Sequence, residues 1–148
     1  MVAWCCPPTR RRGCLDRTSD RGQITGGFVQ GVGWCTTEEL KYSPKGDLWS
    51  YSPTTYKIPN ISDVPEVFNV ATLHNPDNTV SLKRSKAVGE PPLLLGISVW
   101  TAVKNALSYA AGGEVVNLEL PATNEQILRV LSRSSRKSSA ATAPAAKG

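Results

Sequence analysis

One histidine and one methionine are all that the 148 residues offer of those types, and the 4 cysteines form no C-x-x-C pair. A lone His74 excludes an H-x-x-x-H zinc pair and leaves a histidine-based triad without a second candidate base; its plain reading is an exposed loop histidine. Cys5, Cys6, Cys14 and Cys35 lack the two spaced pairs of a structural zinc site and read as free thiols in a reducing compartment. No apolar run approaches the roughly 20 residues that cross a bilayer, because the longest, Pro92 to Val103, is broken by Gly96, Ser98 and Thr101. The start, Met1 to Pro8, has no apolar core of the length a secretory signal needs. A soluble, cytoplasmic protein with no membrane partner is the expectation. Gly26, Gly27, Gly31 and Gly33 match neither G-x-G-x-x-G nor a P-loop, which disfavours a nucleotide cradle.

What is present is one domain's length of chain, 40% hydrophobic and 20% charged, enough for a core. The formal charge of +5 is uneven. Residues 1–21 carry five arginines against two aspartates, and residues 129–148 carry five basic residues with no acid. Between them, residues 22–128 hold seven basic and ten acidic residues, so the body is −3. A basic whole-chain balance therefore gives no argument for nucleic-acid recognition by the body.

Three segments follow from composition. Residues 1–20 have no periodicity and read as an unstructured leader, 21–131 as the folded part, and 132–148 as a disordered basic tail of Ser, Arg, Lys and Ala. From Gly22 the pattern predicts a helix of about 12 residues, with Ile24, Phe28 and Val32 on one face and Gly22, Gly26 and Gly33 near another. Each interior glycine costs about 1 kcal/mol relative to alanine, so the glycine face needs a close-packed backbone or cofactor against it. Thr36 to Tyr42 and Leu48 to Tyr51 read as a hairpin turning at Gly46, and Ser52 to Pro65 as an extended surface path. Phe68 to Leu73 and Thr79 to Leu82 read as a second strand pair around Asn75 to Asn78. Leu93 to Ala111 reads as a core helix with Leu93, Ile97, Trp100, Lys104 and Leu107 in one stripe, widened by Leu94, Ala102 and Ala106. Gly112 and Gly113 stop it. Thr123 and Gln126 form a capping box for a following helix.

The sharpest local feature is Ser85-Lys-Ala-Val-Gly-Glu-Pro-Pro92. Pro91 restricts the backbone of Glu90, and the proline pair presets a helical turn, so the carboxylate stands at a helix N-terminus beside Gly89. The helix dipole favours an anion there. A rigidly held carboxylate suits a general base, and a simple acidic helix cap is the other reading of the same residues. Arg84 and Lys86 read as solvated charges flanking a strand end.

Gly22-Gln-Ile-Thr-Gly-Gly-Phe-Val-Gln-Gly31, Thr37-Glu-Glu-Leu40, Ser52-Pro-Thr-Thr-Tyr-Lys-Ile-Pro59 and Ser85-Lys-Ala-Val-Gly-Glu-Pro-Pro-Leu93 resemble four blocks of one family, in order and spacing. The family is that of xanthine dehydrogenase and aldehyde oxidase, and the blocks resemble the C-terminal part of its molybdenum-binding subunit. Leu120-Pro-Ala-Thr123 extends the likeness, which covers about residues 21 to 131. The resemblance implies an α+β fold, a fragment of the molybdopterin-binding domain. It also implies that Glu90 is the general base, taking a proton from a molybdenum-bound hydroxyl so that the oxygen attacks an electron-poor purine carbon. Gln23 would contact the pterin of the molybdenum cofactor, with Gly22 and Gly89 lining the approach and no protein ligand to the metal.

Most of the family's cofactor-binding segments have no counterpart here, and neither an iron–sulfur cysteine pattern nor a flavin (FAD) domain is present; those groups belong to partner domains in the family. The resemblance therefore implies a partner, the rest of the molybdenum-binding subunit or a complementary chain, with the purine substrate bound only in the complete enzyme. Alone, the chain is expected to be catalytically silent, with apolar surface of the helix after Glu90 left exposed. A reading from a different class is a small binding module whose flexible basic ends hold anionic polymers nonspecifically.

Overall fold

The computed structural model describes residues 3–5, 17–73 and 87–141, with side chains over 18–71 and 87–135. The described residues are mostly helical. β1 (Ala3–Cys5) is followed by α1 (Arg17–Thr36), β2 (Ala71–Leu73), α2 (Glu90–Leu95), α3 (Ile97–Ala110) and α4 (Asn124–Ala141). The α+β expectation is met only in small part, since each strand has three residues and they pair in parallel, Ala3 with Ala71 through Cys5 with Leu73. The expected turn at 75–78, the strand at 79–82, His74, Arg84, Lys86, Cys6 and Cys14 lie outside the described residues. No helix of the described residues is long and apolar enough to cross a membrane.

The chain divides into two compact units. The first comprises residues 1–33 and 58–97. Within it α1 begins at Arg17, not Gly22, which corrects the expectation of an unstructured leader through residue 20. The physical reason is that Thr18, Ser19 and Asp20 suit a first turn, where the dipole favours the Asp20 carboxylate. Ile24 is 1% exposed and Pro92 is likewise fully buried, forming the interior of this unit. Phe28 and Phe68 meet with ring centroids 5.4 Å apart and tilted by 51°. Pro59 and Pro65 bracket a single 3-10 turn, Ile61–Asp63, in which the Asn60 side chain accepts from the Ser62 N–H at 2.9 Å and the Asp63 carboxylate accepts from the Asn60 N–H at 2.8 Å.

The second unit comprises residues 34–57 and 98–148. Leu107, Val116, Leu118 and Ala122 are its buried core, with Trp100, Val103, Ala111, Ile127 and Val130 packed around them. Val116 and Leu118 are buried while Val115, Asn117 and Glu119 are exposed, the alternation of an extended segment lying on a core. Trp100 Nε1 donates to the Glu119 carbonyl at 3.2 Å, and the Ala122 N–H donates to the Cys35 carbonyl at 2.7 Å. Gly112 and Gly113 end α3 as the sequence implied, at φ +74° and +88°.

Five expectations fail here in whole or in part. The helix read over 93–111 breaks at Gly96 into α2 and α3, and Ala102 and Ala106 face outward with Leu94 of α2 exposed as well. Lys104 lies on the ring of Trp100, its Nζ 5.1 Å from the centroid. The hairpin reduces to one bridge between Tyr42 and Leu48, because the Ser43 hydroxyl takes the Lys45 and Asp47 N–H groups and no neighbouring strand among the described residues extends the ladder. α4 continues through Ser132 to Ala141, so this part of the expected disordered tail is helical. Once nucleated, a helix adds Arg, Lys, Ser and Ala at little cost, and no proline intervenes before Pro144. Thr123 caps α4 by accepting from the Gln126 N–H at 3.3 Å, but the Gln126 amide turns to Glu119 at 3.1 Å, leaving the capping box half made. In the 52–56 stretch the chain coils into a turn, with the Tyr56 N–H donating to the Ser52 carbonyl at 2.8 Å, instead of running extended.

Tyr56 Oη donates to Glu38 Oε2 at 2.6 Å. That hydrogen bond, then burial, then the carboxylate's charge hold the phenol above its ordinary value of 10.0. The neutral phenol is the form the fold favours, so its stabilisation is complete below that ordinary value and is lost as pH rises through the higher folded value. Against a Tyr56→Phe variant, the melting-temperature advantage of the parent chain is expected to be constant up to mildly alkaline pH and to shrink above pH 10.0. An advantage that stays level into strongly alkaline solution contradicts the assignment.

Candidate functional site

All four residues singled out by sequence lie in the first unit. Gly22 and Gln23 occupy the second turn of α1, both exposed. Gly89 is the N-cap of α2 at φ −90° and ψ −27°, and Glu90 is the first helical residue, exposed. Pro91 and Pro92 follow within the first turn, where a missing N–H costs nothing. The Leu93 N–H donates to the Gly89 carbonyl at 3.1 Å, closing that turn.

Gln23 and Gly89 are brought together. A Cβ built on Gly89 would stand 3.6 Å from the Gln23 carbonyl oxygen and 3.8 Å from its side-chain Oε1. The amide of Gln23 is therefore beside the residue that leads into Glu90. A Cβ on Gly22 would meet nothing within 4 Å among the described residues, so Gly22 mediates no helix contact among them.

The approach to α2 is made by Gly27 and Gly31, and not by Gly22 or Gly26. A Cβ on Gly27 would collide with the carbonyl oxygen of Gly89 and stand 3.2 Å from its carbonyl carbon. One on Gly31 would overlap the Leu93 oxygen and sit 2.9 Å from the Leu93 carbonyl carbon, and one on Gly96 would overlap Gly31 and lie 2.7 Å from the Val32 nitrogen. Gly26, expected in the contact face, has open space among the described residues. Gln23, Gly27 and Gly31 form one stripe at i, i+4 and i+8 on α1, facing Gly89 and Leu93 at the same spacing. The small-x-x-x-small pattern at 27–31 was the sequence signal for this crossing.

The expected long helix behind Glu90 is a six-residue one, so the dipole invoked from sequence is that of a short segment. The exposure expected on this side is seen at Leu94, Leu95 and Ile97, which are 73%, 42% and 44% exposed. Among the described residues, no three His, Cys, Asp or Glu side chains gather as a metal site.

Comparison with known proteins places the chain as follows. The molybdopterin cofactor-binding domain family matches residues 14–65. Xanthine dehydrogenase/oxidase of Gallus gallus is 46% identical over 117 residues, covering 76% of this chain and 9% of that protein. Xanthine dehydrogenase of Dictyostelium discoideum is 45% identical, and aldehyde oxidase 2 of Macaca fascicularis 44% identical, with the same 76% and 9% shares. The chain thus spans 9% of the length of the curated relatives it matches. A crystal structure of the Cu,Mo-CO dehydrogenase in its carbon monoxide reduced state superposes with a TM-score of 0.65, covering 88% of this chain and 15% of that one. At 19% identity, that is a likeness of fold.

Proposed function

We propose, for a chain that is a molybdopterin-binding domain fragment related to xanthine dehydrogenase and aldehyde oxidase and spanning a small C-terminal portion of those enzymes, that α1 and the start of α2 form one wall of a hydroxylase active site. The observation that carries the reading is the meeting of Gln23 with Gly89, which puts an exposed amide next to the residue preceding an exposed carboxylate. Those residues fit the cofactor. A side-chain amide offers both a donor and an acceptor to the polar edge of a pterin, and Gly22 and Gly89 add no side chain to obstruct it. When bound, the molybdenum cofactor supplies the oxidising equivalents for hydroxylation. Glu90 accepts, at a carboxylate oxygen, the proton released by the oxygen nucleophile that attacks a purine ring carbon. Gln23 holds and orients the pterin through hydrogen bonds.

The remaining walls come from the rest of a molybdenum-binding subunit or from a complementary chain, and the chain by itself is silent and cytoplasmic. Iron–sulfur and FAD groups reside in partner domains. In a complex assembled with such a partner, Gln23→Ala is expected to lower pterin retained after gel filtration by about tenfold, the worth of one or two hydrogen bonds. Full retention by the variant removes Gln23 from the cofactor site, and xanthine-dependent NAD reduction by the isolated chain refutes its silence.

A further inference from the structure

We propose that Gly27 is a positioning residue that sets where Glu90 stands relative to Gln23; the inference rests on the roles given to those two residues above. Three observations carry it. First, the space for a side chain at Gly27 is taken by the Gly89 carbonyl group, which is backbone and cannot rotate aside as a flexible side chain would. Second, that carbonyl and the N–H of Glu90 belong to one planar peptide unit, so whatever displaces the Gly89 oxygen also moves the backbone of Glu90. Third, the same oxygen accepts the Leu93 N–H at 3.1 Å, so the displaced group either takes α2 with it or gives up the hydrogen bond that closes the first turn. Gln23 lies one turn earlier on the same stripe of α1, so the close crossing at Gly27 is what fixes the spacing between amide and carboxylate.

Helix propensity works in the opposite direction. Alanine at position 27 strengthens α1, so any disturbance at Glu90 comes from the crossing and not from a weakened helix. Gly26→Ala brings the same propensity gain into open space and is the matched control.

The test uses the full chain labelled with 15N-glycine and 15N-glutamate. The Gly89 and Glu90 amide resonances are expected to shift in Gly27→Ala and to stay in place in Gly26→Ala. Unmoved resonances in Gly27→Ala, or equal movement in both variants, overturn the proposal. Should Gly27→Ala fail to fold, the unsubstituted chain decides: a nuclear Overhauser contact between the α protons of Gly27 and those of Gly89, whose Cα would stand 3.2 Å from a Cβ on Gly27, supports the close crossing, and its absence refutes it. In the assembled enzyme, Gly27→Ala is expected to lower kcat by about 10²-fold with KM and cofactor content unchanged, the signature of a misplaced reacting group. A rise in KM, or loss of cofactor, contradicts positioning. The two readings fail separately, because Glu90→Gln retaining turnover would remove the base role while leaving the Gly27-dependent resonance shifts intact.

Discussion

Glu90→Gln is expected to lower purine turnover of the assembled enzyme by about 10²- to 10⁴-fold, with molybdenum and pterin content unchanged. The amide keeps the size and shape of the carboxylate but cannot accept the proton. The fold should tolerate the change because Glu90 is exposed, and the turn it begins is closed by backbone groups, Leu93 N–H to Gly89 carbonyl at 3.1 Å. Two buried features anchor that turn independently of the side chain: Pro92, and the contact of Gly31 with Leu93. Metal analysis alongside steady-state kinetics separates the outcomes. Cofactor lost together with turnover would identify Glu90 as a structural helix cap, the alternative its position at the start of α2 allows.

The largest effect on stability is expected at the glycine crossing. Gly31→Ala drives a Cβ into the Leu93 carbonyl oxygen and to 2.9 Å from its carbon, with Leu93 Cα at 3.2 Å. All three are backbone atoms, and Gly96 closes on Gly31 from the same helix pair, so relief requires separating α1 from α2. Overpacking of this kind costs about 1–3 kcal/mol and exceeds the roughly 1 kcal/mol an alanine contributes to helix propensity. Gly26→Ala, in open space, is expected to stabilise by up to about 1 kcal/mol. Urea unfolding of both variants gives opposite signs if the crossing is as close as described. Equal stabilisation by the two alanines would mean that α1 and α2 do not touch through their backbones.

Local signals in the sequence located helix starts, stops and turns well. Pro91 and Pro92 start a helix at Glu90, Gly112 and Gly113 stop α3 with positive φ, Gly46 turns at φ +92°, and Thr123 caps α4. Each depends on a residue's own backbone preference or on a hydrogen bond within four residues. Gln23 and Glu90 were legible only through the four blocks resembling one family, since a single glutamine and a single carboxylate carry no pattern of their own. Periodicity misled where it offered two equivalent faces: Gly22 and Gly26 fit helical spacing but have open space beside them among the described residues, while Gly27 and Gly31 make the contact.

The residue order along the chain was sufficient for the helices, their caps and the placement of Glu90 at a helix start, because these follow from short-range sterics and hydrogen bonding. It also carried the relation to molybdopterin-binding enzymes, through motif order and spacing. Which glycines lie against α2, why the helix after Glu90 ends at Gly96, and that Gln23 stands beside Gly89 depended on packing between segments more than 60 residues apart. A glycine face has no side chain to announce its partner. Its role is visible only when the opposing backbone occupies the space a Cβ would need.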